Sequence, residues 1–119
     1  MKEEERIAQI FSVQKKSNIP QVSKETLRTF HSYLSKNLSF PFGAKYRKES
    51  FPSDEISDVK ITDLLGIDKY EVEVVYGLIC EGRVGRRKIQ APLAMITVSQ
   101  EGKNEQLVKD YRTWFANYR

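Results

Sequence analysis

The sequence of 119 residues has little of the chemistry used by thiol enzymes and zinc centres, because it contains one cysteine and one histidine. The single cysteine, Cys80, cannot form a disulfide within the chain, and this cysteine usage is typical of a reducing compartment. His31 has no second histidine with which to complete a zinc or catalytic site. We expect Cys80 to be a small buried hydrophobe and His31 to be a structural residue with one satisfied ring nitrogen.

Long apolar runs are also missing. The chain begins Met-Lys-Glu-Glu-Glu with no apolar segment behind it, and no later run is long enough to cross a bilayer. We therefore predict a soluble cytoplasmic protein with no membrane partner. A phosphate-binding Gly-x-x-x-x-Gly-Lys loop is absent, and the sequence pattern places no base beside a nucleophile. The sequence therefore predicts a protein that is not an enzyme.

The surplus of positive charge is small. The chain has 20 Lys and Arg residues against 16 Asp and Glu residues, which is a formal net charge of +4. This surplus favours acidic partners but is far below that of a dedicated nucleic-acid binder. The length fits one domain with one core, and six Tyr, six Phe and one Trp supply the large apolar side chains that a core needs.

The stretch 70–98 predicts the centre of an antiparallel sheet. Over 70–76, Val72, Val74 and Tyr76 alternate with Glu71, Glu73 and Val75, which is typical of a half-buried strand. Gly82 and Gly85 then permit the chain to reverse, so that a hairpin follows. Further strands are predicted at 39–46, 59–65, 86–90 and 93–98.

Three segments have the apolar spacing of helices. The first covers 3–14, the second follows a suitable N-cap at Ser23, and the third follows Asn104. The third helix carries a wide aromatic stripe, which favours a lid over the sheet. The predicted class is therefore α+β, with an N-terminal helical segment at 1–38. Residues 39–119 are predicted to form a small antiparallel SH3-like or Tudor-like barrel with a closing C-terminal helix, in one compact unit with the first segment.

An acidic loop is predicted over 47–58. Calcium prefers several oxygen ligands, which carboxylates and loop carbonyls provide, and Asp63 or Asp110 could approach from elsewhere in the fold. The spacing of the acidic residues does not match an EF-hand, so a solvated loop is the alternative interpretation. The predicted calcium ligands are Asp54, Glu55, Asp58 and Asp110.

A basic turn is the other candidate site. Arg side chains at the tip of a hairpin form paired hydrogen bonds with phosphates or carboxylates. Alternate residues of a strand face opposite sides, so a solvated face that protects a sheet edge is the alternative. The predicted partner-binding residues are Arg83, Arg86, Arg87 and Trp114, with a protein or a nucleic acid as the ligand.

Three stretches resemble one known family. SFPFGAKY, YGLICEGRVGRRKIQAPLAMITV and NEQLVKDYRTWFANYR are similar to the cyanobacterial calcium-binding protein family over about residues 40–119. The most specific matches are the Phe-Pro-Phe entry and the terminal Asp110, Tyr111, Trp114 and Phe115. The resemblance implies an N-terminal helical part, a Tudor-like or SH3-like β part, and calcium buffering or sensing without catalysis.

Two features depart from the family pattern. The position of Gly43 often carries an acidic residue in the family, and the founding members are acidic whereas this chain is positive. Both differences remove oxygen ligands or oppose a divalent cation electrostatically. The alternative to a calcium-binding protein is therefore an interaction module that kept the fold and lost the ion.

Overall fold

Helices and strands follow one another as the sequence predicts, with a sheet between N-terminal helices and a closing helix. The computed structural model describes residues 2–68 and 72–119. Over these ranges the α+β class is confirmed, while the SH3-like or Tudor-like closure stays a prediction. The helices are α1 (Glu3–Ile10), α2 (Lys24–Asn37) and α3 (Lys103–Asn117), and the strands are β1 (Phe42–Lys48), β2 (Glu55–Leu64), β3 (Ile79–Val84), β4 (Arg87–Pro92) and β5 (Ile96–Val98).

The strands form an antiparallel sheet in the order β4, β3, β2, β1, β5. Since successive side chains of a strand point to opposite faces, one face collects the apolar residues. Val59 and Ile61 of β2 are buried, and so are their register partners on β1, Ala44 and Phe42. The register of β2 against β3 shifts between Ile61 and Asp63, where β2 contains an irregularity of the bulge type.

The start of α2 is confirmed. The Ser23 side chain accepts a hydrogen bond from the Thr26 amide at 3.1 Å, and the Thr26 hydroxyl oxygen accepts one from the Ser23 amide at 2.8 Å. These bonds satisfy amides that the first helical turn leaves without partners. The stripe of α2 that follows buries Leu27, Phe30 and Leu34.

The start of α3 differs from the prediction. Gly102, with a φ of 143°, is the N-cap, and the helix already includes Asn104. The Asn104 side chain bonds the backbone of Ser39 instead, with 3.0 Å from the Ser39 amide and 2.8 Å to the Ser39 carbonyl. Asn104 therefore ties α3 to the segment that enters the sheet. From the sequence alone, an asparagine in this role cannot be told from an asparagine that caps the helix.

The aromatic stripe of α3 closes the core, as predicted. Tyr111 and Trp114 are fully buried, and the Phe30 ring of α2 lies 5.1 Å from the Trp114 ring. The Trp114 indole donates to the Pro20 carbonyl at 3.0 Å, and the Tyr111 hydroxyl accepts from the Leu78 amide at 2.9 Å. Each buried polar tip thus has a partner, which makes the burial of these large rings favourable.

The predicted strand at 70–76 is wrong where the structure describes it. Residues 74–76 form a turn, and the side chains of Val75 and Tyr76 are 64% and 57% exposed. Gly77 follows with a φ of 67°, and a Cβ there would clash with the Tyr111 hydroxyl and the Phe115 ring. The chain must turn at Gly77 to pass α3, so pairing in β3 begins only at 79. Positions 70 and 71 lie outside the described residues.

Other boundaries move by several residues. The predicted loop at 47–58 is shorter, because β1 continues to Lys48 and β2 begins at Glu55. The first helix ends at Ile10, since Ser12 has a φ of 56° and cannot continue it. A short 3-10 turn, Leu93–Met95, occupies the beginning of the strand predicted at 93–98.

An ion pair joins the first and last helices. Arg6 of α1 donates to Asp110 of α3 through Nε at 2.8 Å and Nη2 at 3.0 Å. The Asp110 side chain is 3% exposed and the Arg6 side chain 25% exposed. The hydrogen bond to Asp110 raises the pKa of Arg6 above its ordinary value. The guanidinium fork matches the carboxylate, so the pair fixes how α1 lies on α3.

Replacement of Asp110 by asparagine should destabilise the fold. Asp110→Asn replaces one accepting oxygen by an NH2 group and removes the negative charge that faces the Arg6 guanidinium. Because the site is mostly buried, we expect the free energy of unfolding to fall by about 3 kcal/mol. The measurement is chemical denaturation followed by circular dichroism. The exposed pair between Lys16 and Glu4 is the control, and Lys16→Ala should cost about 0–1 kcal/mol. Equal losses of stability in Asp110→Asn and Lys16→Ala would contradict the structural role of the ion pair between Arg6 and Asp110.

Cys80 lies in the core, as predicted. Its thiol donates to the Ala91 carbonyl at 3.3 Å, and burial raises the pKa of Cys80 from 9.0 to about 12. In the folded chain the thiol therefore keeps its proton at pH values where the unfolded chain loses it. The stability that this group contributes is present below pH 9 and lost as the pH rises towards 12.

Cys80 should consequently report unfolding. At pH 8 the folded protein should react with a thiol reagent only as fast as it unfolds, whereas protein in denaturant should react at once. Stopped-flow measurements of the thiol-labelling rate at several denaturant concentrations test this expectation. Rapid labelling in native buffer would show that the thiol is accessible and would contradict its burial.

Candidate metal site

The sequence-predicted ligands Asp54, Glu55 and Asp58 lie on one hairpin, where basic residues face them. Asp54 accepts a hydrogen bond from the Arg47 side chain at 2.8 Å, and Asp58 pairs with Lys45. Two of these carboxylates are thus already neutralised within the described hairpin. A cation that binds there must displace arginine or lysine first.

The fourth predicted ligand, Asp110, lies elsewhere. It is buried between α1 and α3 in its ion pair with Arg6, so its oxygens face the helices and not the hairpin. The structure does not gather the four predicted ligands into one cluster. Among residues 2–68 and 72–119, no group of three or more His, Cys, Asp or Glu side chains is placed to hold a metal ion. Their role as ligands stays a prediction.

A different acidic pair appears where β2 resumes after its irregularity. Asp63 of β2 lies directly opposite Glu81 of β3, on the face away from the buried pair Leu64 and Cys80. Directly opposite residues have Cβ atoms about 4.5–5.5 Å apart, and like charges there repel each other. A cation between the two carboxylates would remove this repulsion.

The surroundings of the acidic pair are partly favourable to a cation. Gln90 of β4 lies directly opposite Glu81, so its amide oxygen belongs to the same row of positions. Lys88 already approaches Glu81, with its ammonium 3.3 Å from a carboxylate oxygen. Asp63 has no ion-pair partner in the part of the chain that the structure describes. The row thus offers two carboxylates and an amide, which are the oxygen ligands of a hard cation.

Asp63, Glu81 and Gln90 meet the ligand requirements of calcium in part. It takes about six to eight oxygen ligands, so two carboxylates and one amide leave positions for water or backbone oxygens. The sequence pattern predicts Asp63 as an approaching residue but gives no signal for Glu81. Only the register of β2 against β3 brings the two together, and the shift beside Asp63 leaves no signal in the residue pattern.

The predicted partner-binding residues also lie apart from one another. Arg83 faces outward on β3, Arg86 lies in the turn, and Arg87 lies on the face of β4 opposite to Lys88. The prediction that Trp114 binds a partner requires correction, because its side chain is fully buried. The tryptophan is held inside by the aromatic packing of α2 and α3.

Within the described residues, no helix is both long and apolar enough to pass through a membrane.

Comparisons with known proteins agree on one family. A family model described as calcium binding, that of CcbP, matches residues 8–115. A calcium-binding protein in the calcium-binding form has a similar fold, with a TM-score of 0.70, 21% identity, and coverage of 96% of this chain and 89% of that chain. The crystal structure of Anabaena CcbP is similar over 80% of this chain and 78% of that chain, with a TM-score of 0.64 and 22% identity. No curated protein matches the sequence.

At these identities the structural matches establish a shared fold. The family match is more specific, because it extends from α1 to the aromatic stripe of α3 and therefore includes the helices as well as the sheet. The resemblance of the three sequence stretches to the calcium-binding family is confirmed. The chain belongs to the CcbP family of calcium-binding proteins.

Proposed function

We propose that this chain is a cytoplasmic, non-catalytic calcium-binding protein, and that Asp63 and Glu81 supply the carboxylates that hold the ion. The family match over residues 8–115 carries the choice of calcium. The direct opposition of the two acidic residues across β2 and β3 supports the location. The single histidine and the single cysteine both have structural contacts, which supports a role without catalysis.

Two such contacts matter here. The His31 ring nitrogen Nε2 lies 2.8 Å from the Leu65 carbonyl, so this nitrogen serves the packing of α2 against the sheet. The Cys80 thiol is buried and remains protonated at neutral pH. Neither group is presented to a substrate. The reducing compartment implied by a free cysteine agrees with the cytoplasm.

The proposed site should bind calcium weakly. The ion must replace Lys88 beside Glu81, and it gains only two charged ligands in return. Sites with few charged ligands bind calcium with a Kd on the order of 10⁻⁴ to 10⁻³ M. The net charge of +4 adds a further electrostatic cost. These terms favour a buffer that responds to high local calcium.

The hairpin carboxylates Asp54, Glu55 and Asp58 remain a second proposed ligand set. Their use requires the loss of the ion pairs with Arg47 and Lys45. Exposed ion pairs of this kind are worth only about 0–1 kcal/mol each, so displacement is feasible but gives no advantage over Asp63. The two sets lie at different places along β2 and can be separated by mutation.

Calcium titration should distinguish the two sets. Asp63→Asn combined with Glu81→Gln should weaken calcium binding about tenfold or more, because both charged ligands become neutral while their shapes persist. Asp54→Asn combined with Asp58→Asn is the matched control, since it removes the same charge, and it should change the affinity less than about threefold. Isothermal calorimetry measures both variants.

A larger loss of calcium affinity in the Asp54 and Asp58 variant than in the Asp63 and Glu81 variant would favour the hairpin as the site. Unchanged binding in both variants would reject both proposed locations, and no heat in the wild type at millimolar calcium would reject the function itself. Magnesium serves as the comparison ion. Because it requires stricter octahedral geometry than calcium, it should bind less tightly to Asp63, Glu81 and Gln90.

The location also predicts a local response. Asp63, Glu81 and Gln90 lie on three neighbouring strands of one sheet, so an ion among them need not move a helix. NMR amide shifts on addition of calcium should therefore concentrate in β2, β3 and β4. Shifts that spread to α1 and α3 would instead indicate a sensor whose helices rearrange.

A further inference from the structure

A row of positive charges crosses the sheet beside the acidic pair. Lys60 of β2 lies directly opposite Arg83 of β3, and Arg83 lies directly opposite Lys88 of β4. All three residues are exposed and share one face through the register, and the neighbours of Lys60 along β2, Val59 and Ile61, are buried on the other face. We call Lys60, Arg83 and Lys88 the cation row.

The charges of the cation row are only partly compensated within the described residues. Lys88 pairs with Glu81 at 3.3 Å, but Lys60 and Arg83 have no ion-pair partner within the described parts of the chain. The nearest acid on the other side along β2, Asp58, is held by Lys45. Like charges directly opposite one another in a sheet are unfavourable. An anion that binds across the row would remove this cost.

The surface around the row is open. Gly43 of β1 lies opposite Lys60, and a Cβ placed on Gly43 would meet nothing within 4 Å. A shallow depression is lined by Asp58, Val59, Lys60, Arg83 and Gly85, and the Asp58 carboxylate in it pairs with Lys45. Since neighbouring strands lie about 4.8 Å apart, the strip from Gly43 to Lys88 spans about 14 Å. A ligand with several anionic groups in a line fits such a strip.

We propose that the cation row binds the phosphate backbone of single-stranded nucleic acid without reading its bases. Arginine forms paired hydrogen bonds with phosphate, and lysine supplies compact charges on either side of it. The row contains no aromatic side chain on which a base could stack, so backbone contacts alone are available. A flexible single strand can follow the twist of the sheet across successive strands.

This binding does not require calcium. It uses Lys60 and Arg83, which touch neither proposed calcium carboxylate through an ion pair, whereas Lys88 is shared with Glu81. Glu81→Gln would release Lys88 and remove a repelling carboxylate. We therefore expect this variant to bind the strand about two- to threefold more tightly, even if the protein binds no calcium.

The test is fluorescence anisotropy of a labelled 15-residue oligothymidylate with the full chain at low salt. Lys60→Ala combined with Arg83→Ala should weaken binding about tenfold and reduce the salt slope by about 1.4, since two phosphate contacts are lost. Arg28→Ala combined with Lys36→Ala is the matched control, because it removes one arginine and one lysine from the exposed side of α2. The control should change binding less than about twofold.

A second variant tests the row without removing a cation. Gly43→Glu adds a carboxylate opposite Lys60 in open space, so the fold should persist and binding should weaken about tenfold. Circular dichroism checks that each variant remains folded. Equal losses in the row variant and the α2 control would overturn the proposal, because they would show attraction to net charge alone.

Two other results would also overturn it. One is the absence of binding by the wild type at about 50 mM salt, where phosphate contacts are strong. The other is displacement of the oligonucleotide by inorganic tripolyphosphate at equal phosphate concentration, which would assign the row to small polyphosphates. Retained binding of the oligonucleotide in excess tripolyphosphate supports a strand as the ligand.

Discussion

The register between β2 and β3 decides which charged side chains meet on the outer face of this protein. Before the irregularity of β2, Lys60 faces Arg83, and after it Asp63 faces Glu81. The extra residue in β2 keeps the apolar side chains on the inner face while two charged rows form outside. A slip of one residue would bury these charges, so the packed inner face enforces the outer arrangement.

The inner face depends in turn on the close approach of β2 to β3 and on α3, which covers it. Gly82 is buried on β3, and a Cβ there would lie 2.7 Å from the Lys60 carbonyl, so the strands approach closely only because the residue is glycine. The aromatic side chains of α3 then cover the sheet, with Tyr111 holding the Leu78 amide just before β3 begins. The same helix buries Asp110 against Arg6, which removes this carboxylate from any surface site.

Local chemistry could be predicted from the sequence, whereas contacts across strands could not. Ser23 signals its helix because its cap is made within four residues, and the stripe of α3 repeats at helical spacing. The surroundings of the acidic segment could not be predicted, because the sequence does not show that Arg47 and Lys45 face its carboxylates. The opposition of Glu81 and Asp63 could not be predicted for the same reason, since Asp63 lies 18 positions earlier and beyond an irregular register.

Lys88 links the two charged rows, and this has a thermodynamic consequence. In the described structure its ammonium lies beside Glu81 while its position belongs to the cation row. A calcium ion at Glu81 would repel Lys88 towards a phosphate bound at Arg83, so each ligand would favour the other. Linkage requires this coupling to be reciprocal and equal in free energy. The side chain of one lysine would then connect the proposed ion site with the proposed anion site, without movement of the sheet.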